Sequence, residues 1–403
     1  MMEERKSKYS GFNFPKEEML EVERQKSNLT IGIPKETILH ENRVILVPEG
    51  VRLLFNHGHH VMIESGAGKA AHFTDHDYSE SGAQVVYSAE EVYKADIILK
   101  VAPASLQETE YLRPRQTLIS ALQMGIQKEE YFRSLINKRV TALAFELIRD
   151  KSRFFPVVRA MSEIAGSTSV FLAAEYLADP EYGSGQMFGG FTGIRPTEVV
   201  IIGAGTVGEF AARSATGLGA LVKIFDNSVY RLSRLQNNLG FRVFTSVIHQ
   251  KVLRECMRSA DVVIGAIHSG NGKVPYLISE DMIKEMKEGS VLIDISIDQG
   301  GCFETSYPTT HKKPVFKKHG ITHYCVPNIP AKVPQTSSEA LNNIFVPILL
   351  DIGREGGVEN LLKLDAGLRN GVYLYYGTLT NSIIGKYFNI PSQDIDLLMA
   401  AFH

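Results

Sequence analysis

An α/β fold in two domains, each a doubly wound parallel sheet, is what the sequence predicts, and three observations carry it. Short apolar runs alternate with stretches of helical period along most of the chain, which calls for parallel strands with helices on both faces. The length, 403 residues, suits two domains of ordinary size. The segment 199–226, VVIIGAGTVGEFAARSATGLGALVKIFD, runs strand, glycine turn, helix, strand, acid, the order that opens a Rossmann-like domain.

Taken in order, residues 1–28 read as an N-terminal extension, with a short charged helix expected over 15–26. From residue 29 the expected strands are 29–33, 60–64, 97–101, 117–122 and 141–144, with helices between them such as 49–57 and 128–136. The stretch 159–179 (RAMSEIAGSTSVFLAAEYLAD) has few breakers and helical apolar spacing, so one long helix is expected to link the two domains. Further strands are expected at 261–266, 290–297 and 321–326. A helix over 336–352 should return the chain to the first domain. The predicted division is 29–158 with 335–403 as a discontinuous substrate domain, and 159–334 as the nucleotide domain.

The glycines of the fingerprint each have a physical task. Gly203 permits the tight turn, Gly205 leaves room for a pyrophosphate against the backbone, and Gly208 lets the helix pack on the strand. The helix that starts at Thr206 and Val207 offers free N–H groups and a partial positive charge to phosphate. Asp226 closes the second strand, where a carboxylate accepts ribose hydroxyls and repels a 2′-phosphate. NAD is therefore expected over NADP.

Other features point elsewhere or nowhere. A formal net charge of −2, with no arginine–aromatic interleaving, gives no sign of a nucleic-acid surface. No apolar run approaches the roughly 20 residues that span a bilayer. The charged N-terminal stretch lacks the apolar core of a signal peptide, so a cytoplasmic location is expected. Cys256, Cys302 and Cys325 form no CxxC pair, which argues against a disulfide framework or zinc cluster. Cys302 reads as a nucleophile or as buried filler, the second being favoured. The loop ESGAGKA at 64–70 fails the phosphate-loop pattern, since Ile63 and Ala70 stand where a glycine and a hydroxyl belong. His57, His59 and His60 lack a carboxylate at ligand spacing and read as a helix C-terminal region, so no metal is expected.

Several stretches together resemble the alanine dehydrogenase branch of the alanine dehydrogenase/pyridine nucleotide transhydrogenase family: IGIPKETILHENRVILVPEGV, ADIILKV, MSEIAG, VVIIGAGTVG, ADVVIGAI, DISIDQGGCFET, PTTH and HYCVPNIPAKVPQTS, from about residue 30 to 347. The resemblance implies NAD-dependent, reversible oxidative deamination of L-alanine to pyruvate and ammonium, with the substrate in an interdomain cleft. It assigns Arg43 to the substrate carboxylate, Lys100 to the pyruvate carbonyl and Asp298 to proton transfer. Ser162, Asp226, Arg231, Asn328 and Asp298 are placed around substrate or cofactor. It also implies a homo-oligomer, commonly a hexamer. The chemistry of these residues agrees: guanidinium is a planar fork for carboxylate, and a lysine ending an apolar strand is expected to reach the crevice mouth.

One position departs. Where the alanine dehydrogenase pattern closes a strand with histidine, this chain has Gln123, which can hydrogen-bond but cannot carry a proton near neutral pH. Three readings follow: an alanine dehydrogenase in which Gln123 orients the substrate oxygen, an opine- or saccharopine-type amino-acid reductase, or a catalytically silent NAD-binding protein.

Overall fold

The computed structural model describes residues 27–38, 40–268 and 277–401. The helix expected over 15–26 lies outside the described residues. Two sheets organise the rest. In the first, the strands lie in the order Thr378–Leu379, Val372–Tyr375, Thr141–Ala144, Thr117–Ser120, Ile97–Leu99, Thr30–Ile33, His60–Glu64, Gln84–Val86. In the second, the order is Val315–Lys318, Ile321–Tyr324, Val291–Asp294, Val262–Gly265, Glu198–Ile202, Leu221–Phe225, Phe244–Ser246.

The central strands are parallel and buried on both faces, as their continuous apolar runs require. Alternate side chains feed different cores. Val199 and Ile201 join Val262, Ile264, Val291 and Ile293 on one face, while Val200, Ile202, Val263 and Leu292 pack on the other. The first sheet divides in the same way, with Ile97 and Leu99 on one side and Ile98 and Leu118 on the opposite side. Truncating one such isoleucine to alanine is worth about 2–5 kcal/mol.

The doubly wound, mainly parallel sheets expected are found, with antiparallel strands added toward their edges. Val372–Tyr375 runs antiparallel to both Thr141–Ala144 and Thr378–Leu379, and Val315–Lys318 runs antiparallel to Ile321–Tyr324. A short turn suffices for Val372–Tyr375 with Thr378–Leu379 and for Val315–Lys318 with Ile321–Tyr324, whereas Val372–Tyr375 reaches Thr141–Ala144 only after the chain has built the second sheet.

Two long helices tie the halves together. Pro156–Ala178 starts three residues earlier than expected, because Pro156 is well placed in a first helical turn that has no use for its missing N–H. It packs on Thr206–Gly217 so closely that a Cβ on Gly166 would lie 2.3 Å from the Val207 carbonyl oxygen. Pro334–Arg354 then carries Leu341, Phe345, Leu349 and Ile352 into the core of the first sheet. No helix among the described residues is long and apolar enough to cross a membrane.

Both sheets reverse their winding direction beside a central strand. In the second, successive strands move from Glu198–Ile202 to one side and then jump to Val262–Gly265 on the other. In the first, the same jump separates Thr30–Ile33 from Ile97–Leu99. Ligand crevices form at the carboxyl ends of strands at such points. The fingerprint follows one of them. Glu36, Glu41, Arg43 and Lys100 follow the other.

Candidate active site

The glycine turn after Glu198–Ile202 is built from backbone. Gly203 has φ of +113°, and a Cβ there would lie 2.3 Å from the Ala266 carbonyl oxygen, so only glycine fits. A Cβ on Gly208 would lie 1.9 Å from the Gly203 oxygen, which explains the close approach of helix to turn. Gly205 differs: a Cβ there would meet nothing within 4 Å. That open space, beside the first turn formed by Thr206 and Val207, is where the pattern places a pyrophosphate. Asp226 is buried and accepts hydrogen bonds from the Ala204 N–H (2.8 Å) and the Ser228 N–H (2.7 Å). The carboxylate is thereby pinned to the turn, and each oxygen keeps a lone pair for a ribose hydroxyl. Arg231 is half exposed, its Nη1 3.9 Å from Asp226, at the limit of an ion pair. Ser162 is half buried on the long helix Pro156–Ala178. These residues fit a dinucleotide.

The group around Arg43 and Lys100 is built from charge. Arg43 is buried, and Glu41 takes its guanidinium side-on, with Nε to Oε1 at 2.7 Å and Nη2 to Oε2 at 2.6 Å. Met161 Sδ lies 3.2 Å from Nη1. Lys100 does not reach out to a crevice mouth. It is 1% exposed, with Nζ 2.7 Å from Glu108 and 3.3 Å from Glu36. Burial pulls the Lys100 pKa down, but Glu36 and Glu108 outweigh it and leave it above the ordinary lysine value. Lys100 therefore stays an ammonium. Glu36 is the group that yields. Burial pushes its carboxyl up to about 7, with Glu41 and Glu108 adding to the rise and Lys100 and the Val101 N–H opposing it.

Asp298 comes from the second sheet, in the 3-10 turn Ile295–Gln299 that follows the strand Val291–Asp294. Asp294, fully buried, accepts the Cys302 N–H at 3.2 Å and ties down the return of this loop. Asp298 accepts the Asn328 N–H at 3.1 Å. Its side chain is exposed to solvent, although protein crowds around it. Burial pushes its pKa up, against the Asn328 N–H and Arg43, and the balance lies above the ordinary aspartate value. Asn328, in the left-handed region at φ of 58°, sends Nδ2 back to Glu41 Oε2 at 3.0 Å. Arg43, Glu41, Asn328 and Asp298 thus form one connected group spanning the two sheets.

Gln123 lies three residues past the strand Thr117–Ser120, just before the 3-10 turn Met124–Ile126, also left-handed at φ of 48°, and is exposed. Its N–H and that of Leu122 both donate to Glu146 Oε1, at 3.2 and 2.8 Å. Burial raises the Glu146 pKa, and those same N–H groups oppose the rise.

The remaining sequence features find structural partners. Cys302 is fully buried with its thiol pushed well up by burial, the opposite of an activated nucleophile. In the 64–70 loop, the Ser65 hydroxyl and the Gly66 N–H donate to Asp75 at 2.6 and 2.8 Å, so the loop is closed by its own chain. His57, His59 and His60 bond separately to the Leu53 carbonyl, the Leu29 N–H and Gln84. No metal-binding cluster occurs among the described residues.

Sequence reasoning missed Glu36, Glu41 and Glu108. Only Glu108 carried a local signal, the Ser105-x-x-Glu108 capping box, which the helix Leu106–Tyr111 uses. Its second task, holding Lys100, has no local trace.

Comparison with known proteins agrees with this geometry. Residues 32–165 match the model of the alanine dehydrogenase/PNT N-terminal domain, and 169–382 that of the C-terminal domain. The chain is 38% identical over 369 residues to an alanine dehydrogenase of Staphylococcus saprophyticus, covering 91% of this chain and 99% of that one. It is 37% identical over 373 residues to an alanine dehydrogenase of Mycolicibacterium smegmatis, covering 92% and 100%. A solved L-alanine dehydrogenase structure superposes with a TM-score of 0.84 at 36% identity, covering 90% of this chain and 99% of that one. With both family domains matched in sequence along nearly all of its length, the chain belongs to the alanine dehydrogenase/PNT family.

Proposed function

We propose that this protein catalyses the NAD-dependent, reversible oxidative deamination of L-alanine to pyruvate and ammonium. The observation that carries the reading is the connected group Arg43–Glu41–Asn328–Asp298, which joins a carboxylate-binding cation in one half to a carboxyl group of raised pKa in the other. The names of the similar dehydrogenases support the substrate.

Arg43 presents its free outer edge to the substrate carboxylate. Lys100, held charged by Glu36 and Glu108, directs a remaining N–H to the carbonyl oxygen and stabilises negative charge developing there. Alanine first gives its ammonium proton to solvent; when bound at the glycine turn, NAD would then accept hydride from the substrate Cα as the nitrogen lone pair forms the iminium. Water then adds to the resulting iminium carbon and gives a proton to Asp298. That proton returns to the nitrogen, and as the carbinolamine collapses its hydroxyl proton passes to the freed Asp298 carboxylate, the C–N bond breaks to release ammonia, which takes up a proton from water, and pyruvate remains. The raised Asp298 pKa makes it a better proton acceptor than an ordinary aspartate, as the role requires. Gln123 orients the substrate oxygen by hydrogen bonding.

The same reading takes residues 29–158 with 335–403 as the substrate domain, 159–334 as the nucleotide domain, a homo-oligomer as the working form and the cytoplasm as its location. The test is NADH formation from NAD⁺ at alkaline pH with L-alanine, beside glycine, lysine and serine. Alanine-dependent absorbance is expected. NADH binding without turnover of any amino acid would instead indicate a silent nucleotide-binding protein.

A further inference from the structure

We propose that Glu41 is a positioning residue that holds Arg43 in its carboxylate-binding orientation and couples it to the loop bearing Asp298. The inference rests on the proposed function and names how its substrate grip is aligned.

The Glu41 carboxylate is saturated. Oε1 accepts Arg43 Nε (2.7 Å) and the Arg43 backbone N–H (3.2 Å). Oε2 accepts Arg43 Nη2 (2.6 Å) and Asn328 Nδ2 (3.0 Å). Those four donors fill the roughly four lone-pair sites of a carboxylate. Three come from Arg43 itself and one from the opposite half of the cleft. The side-on pair uses the Nε–Nη2 edge of the guanidinium. It leaves the Nη1–Nη2 edge for a second carboxylate, so Glu41 and an incoming anion do not compete for the same hydrogens. With Met161 Sδ 3.2 Å from Nη1, the plane of the guanidinium is fixed from two directions. Asn328 gives the coupling its reach. Its side chain holds Glu41 while its backbone N–H holds Asp298 at 3.1 Å. A single carboxylate therefore sets the anion fork against the proton-transfer group across the interdomain cleft.

Removing the negative charge would strengthen the bare attraction of Arg43 for an anion. Removing the alignment would weaken it. The two effects have opposite signs, so the direction of the change decides. Glu41→Gln keeps the shape, but its amide NH₂ faces two donors and the fork is released. Pyruvate KM should rise at least tenfold at saturating NADH, with NADH affinity within twofold of the parent. Adding Asn328→Ala to Glu41→Gln should raise KM by less than Asn328→Ala does in the parent, because the shared bond is already broken. An unchanged or lowered pyruvate KM in Glu41→Gln would overturn the proposal, as would strict additivity with Asn328→Ala. If Glu41→Gln does not fold, Glu41→Asp is measured on the same terms, since its shortened carboxylate cannot keep both arms. Parent turnover of alanine is recorded in the same series. Failure of the proposed function would show in the parent, and failure of this inference only in the variants.

Discussion

Around Gly203, Gly205 and Gly208 the ligand-facing surface is backbone, shaped by what side chains would obstruct. Around Arg43 and Lys100 it is charge, buried and already paired with Glu41, Glu36 and Glu108. A backbone cradle is complete before a ligand arrives and needs no counter-ions. A buried cation is tolerated only with partners, because leaving it unpaired carries a desolvation penalty of several kcal/mol. The contrast suggests a division of labour. On the proposed function, the nucleotide half selects by shape, while the substrate half spends part of its fold on keeping two cations charged and aimed.

Substitutions in the two halves should therefore fail differently, and the largest effects belong to the charged half. Asp298→Asn should lower kcat for pyruvate amination by about 10²- to 10⁴-fold with NADH affinity preserved. Near-normal kcat would remove Asp298 from the chemistry. Lys100→Met should lower kcat/KM for pyruvate by about 10²- to 10³-fold. It should also destabilise the protein by about 3 kcal/mol, since Glu108 and Glu36 lose their shared counter-ion. Chemical denaturation reads the second effect. The backbone half should respond the other way. Gly205→Val should weaken NADH binding by roughly ten- to a hundredfold through displaced phosphate contacts. Its melting temperature should hardly move, because a Cβ there meets nothing within 4 Å. An equal loss of stability and affinity would blur the distinction.

The smallest expected effect is a pH dependence at Glu36. Its carboxyl is raised from 4.5 to about 7. The folded protein thus holds this proton more tightly than the unfolded chain does. Below about pH 4.5 both states are protonated and stability is unaffected. Between there and pH 7 the unfolded chain ionises first, so this contribution falls as pH rises and stays lost above 7. Ionisation also adds a negative charge beside Lys100, so pyruvate KM should climb through pH 7, by roughly fivefold. Glu36→Gln should flatten both profiles. A KM–pH curve unchanged by that substitution would detach Glu36 from the substrate half.

The same contrast explains what could be read from the chain. Strands 60–64 and 141–144 match to the residue; the first is a short apolar run between His60 and Glu64, while the second sits between apolar neighbours, Val140 and Phe145. The expected strands 97–101, 117–122 and 290–297 overran, since the chain leaves the ladder while its side chains stay buried, as at Lys100, Val101, Leu122 and Ile297. The strands Phe244–Ser246 and Val315–Lys318 went unread, being short edge strands without a continuous apolar core. The glycine turn was legible because a backbone requirement leaves its mark at fixed local offsets. The partners of Arg43 and Lys100 were not, because ion pairing joins residues by tertiary distance. Glu41 lies two positions from Arg43, yet its bond to Asn328 spans 287 residues of sequence.

The most direct test is a crystal structure of the protein with NADH and pyruvate. Pyruvate is expected with its carboxylate on the outer edge of Arg43, its carbonyl oxygen on Lys100 Nζ and Asp298 facing its carbonyl carbon, while Glu41 keeps its side-on grip. Pyruvate bound elsewhere, or a nicotinamide turned away from the cleft between the two sheets, would contradict it.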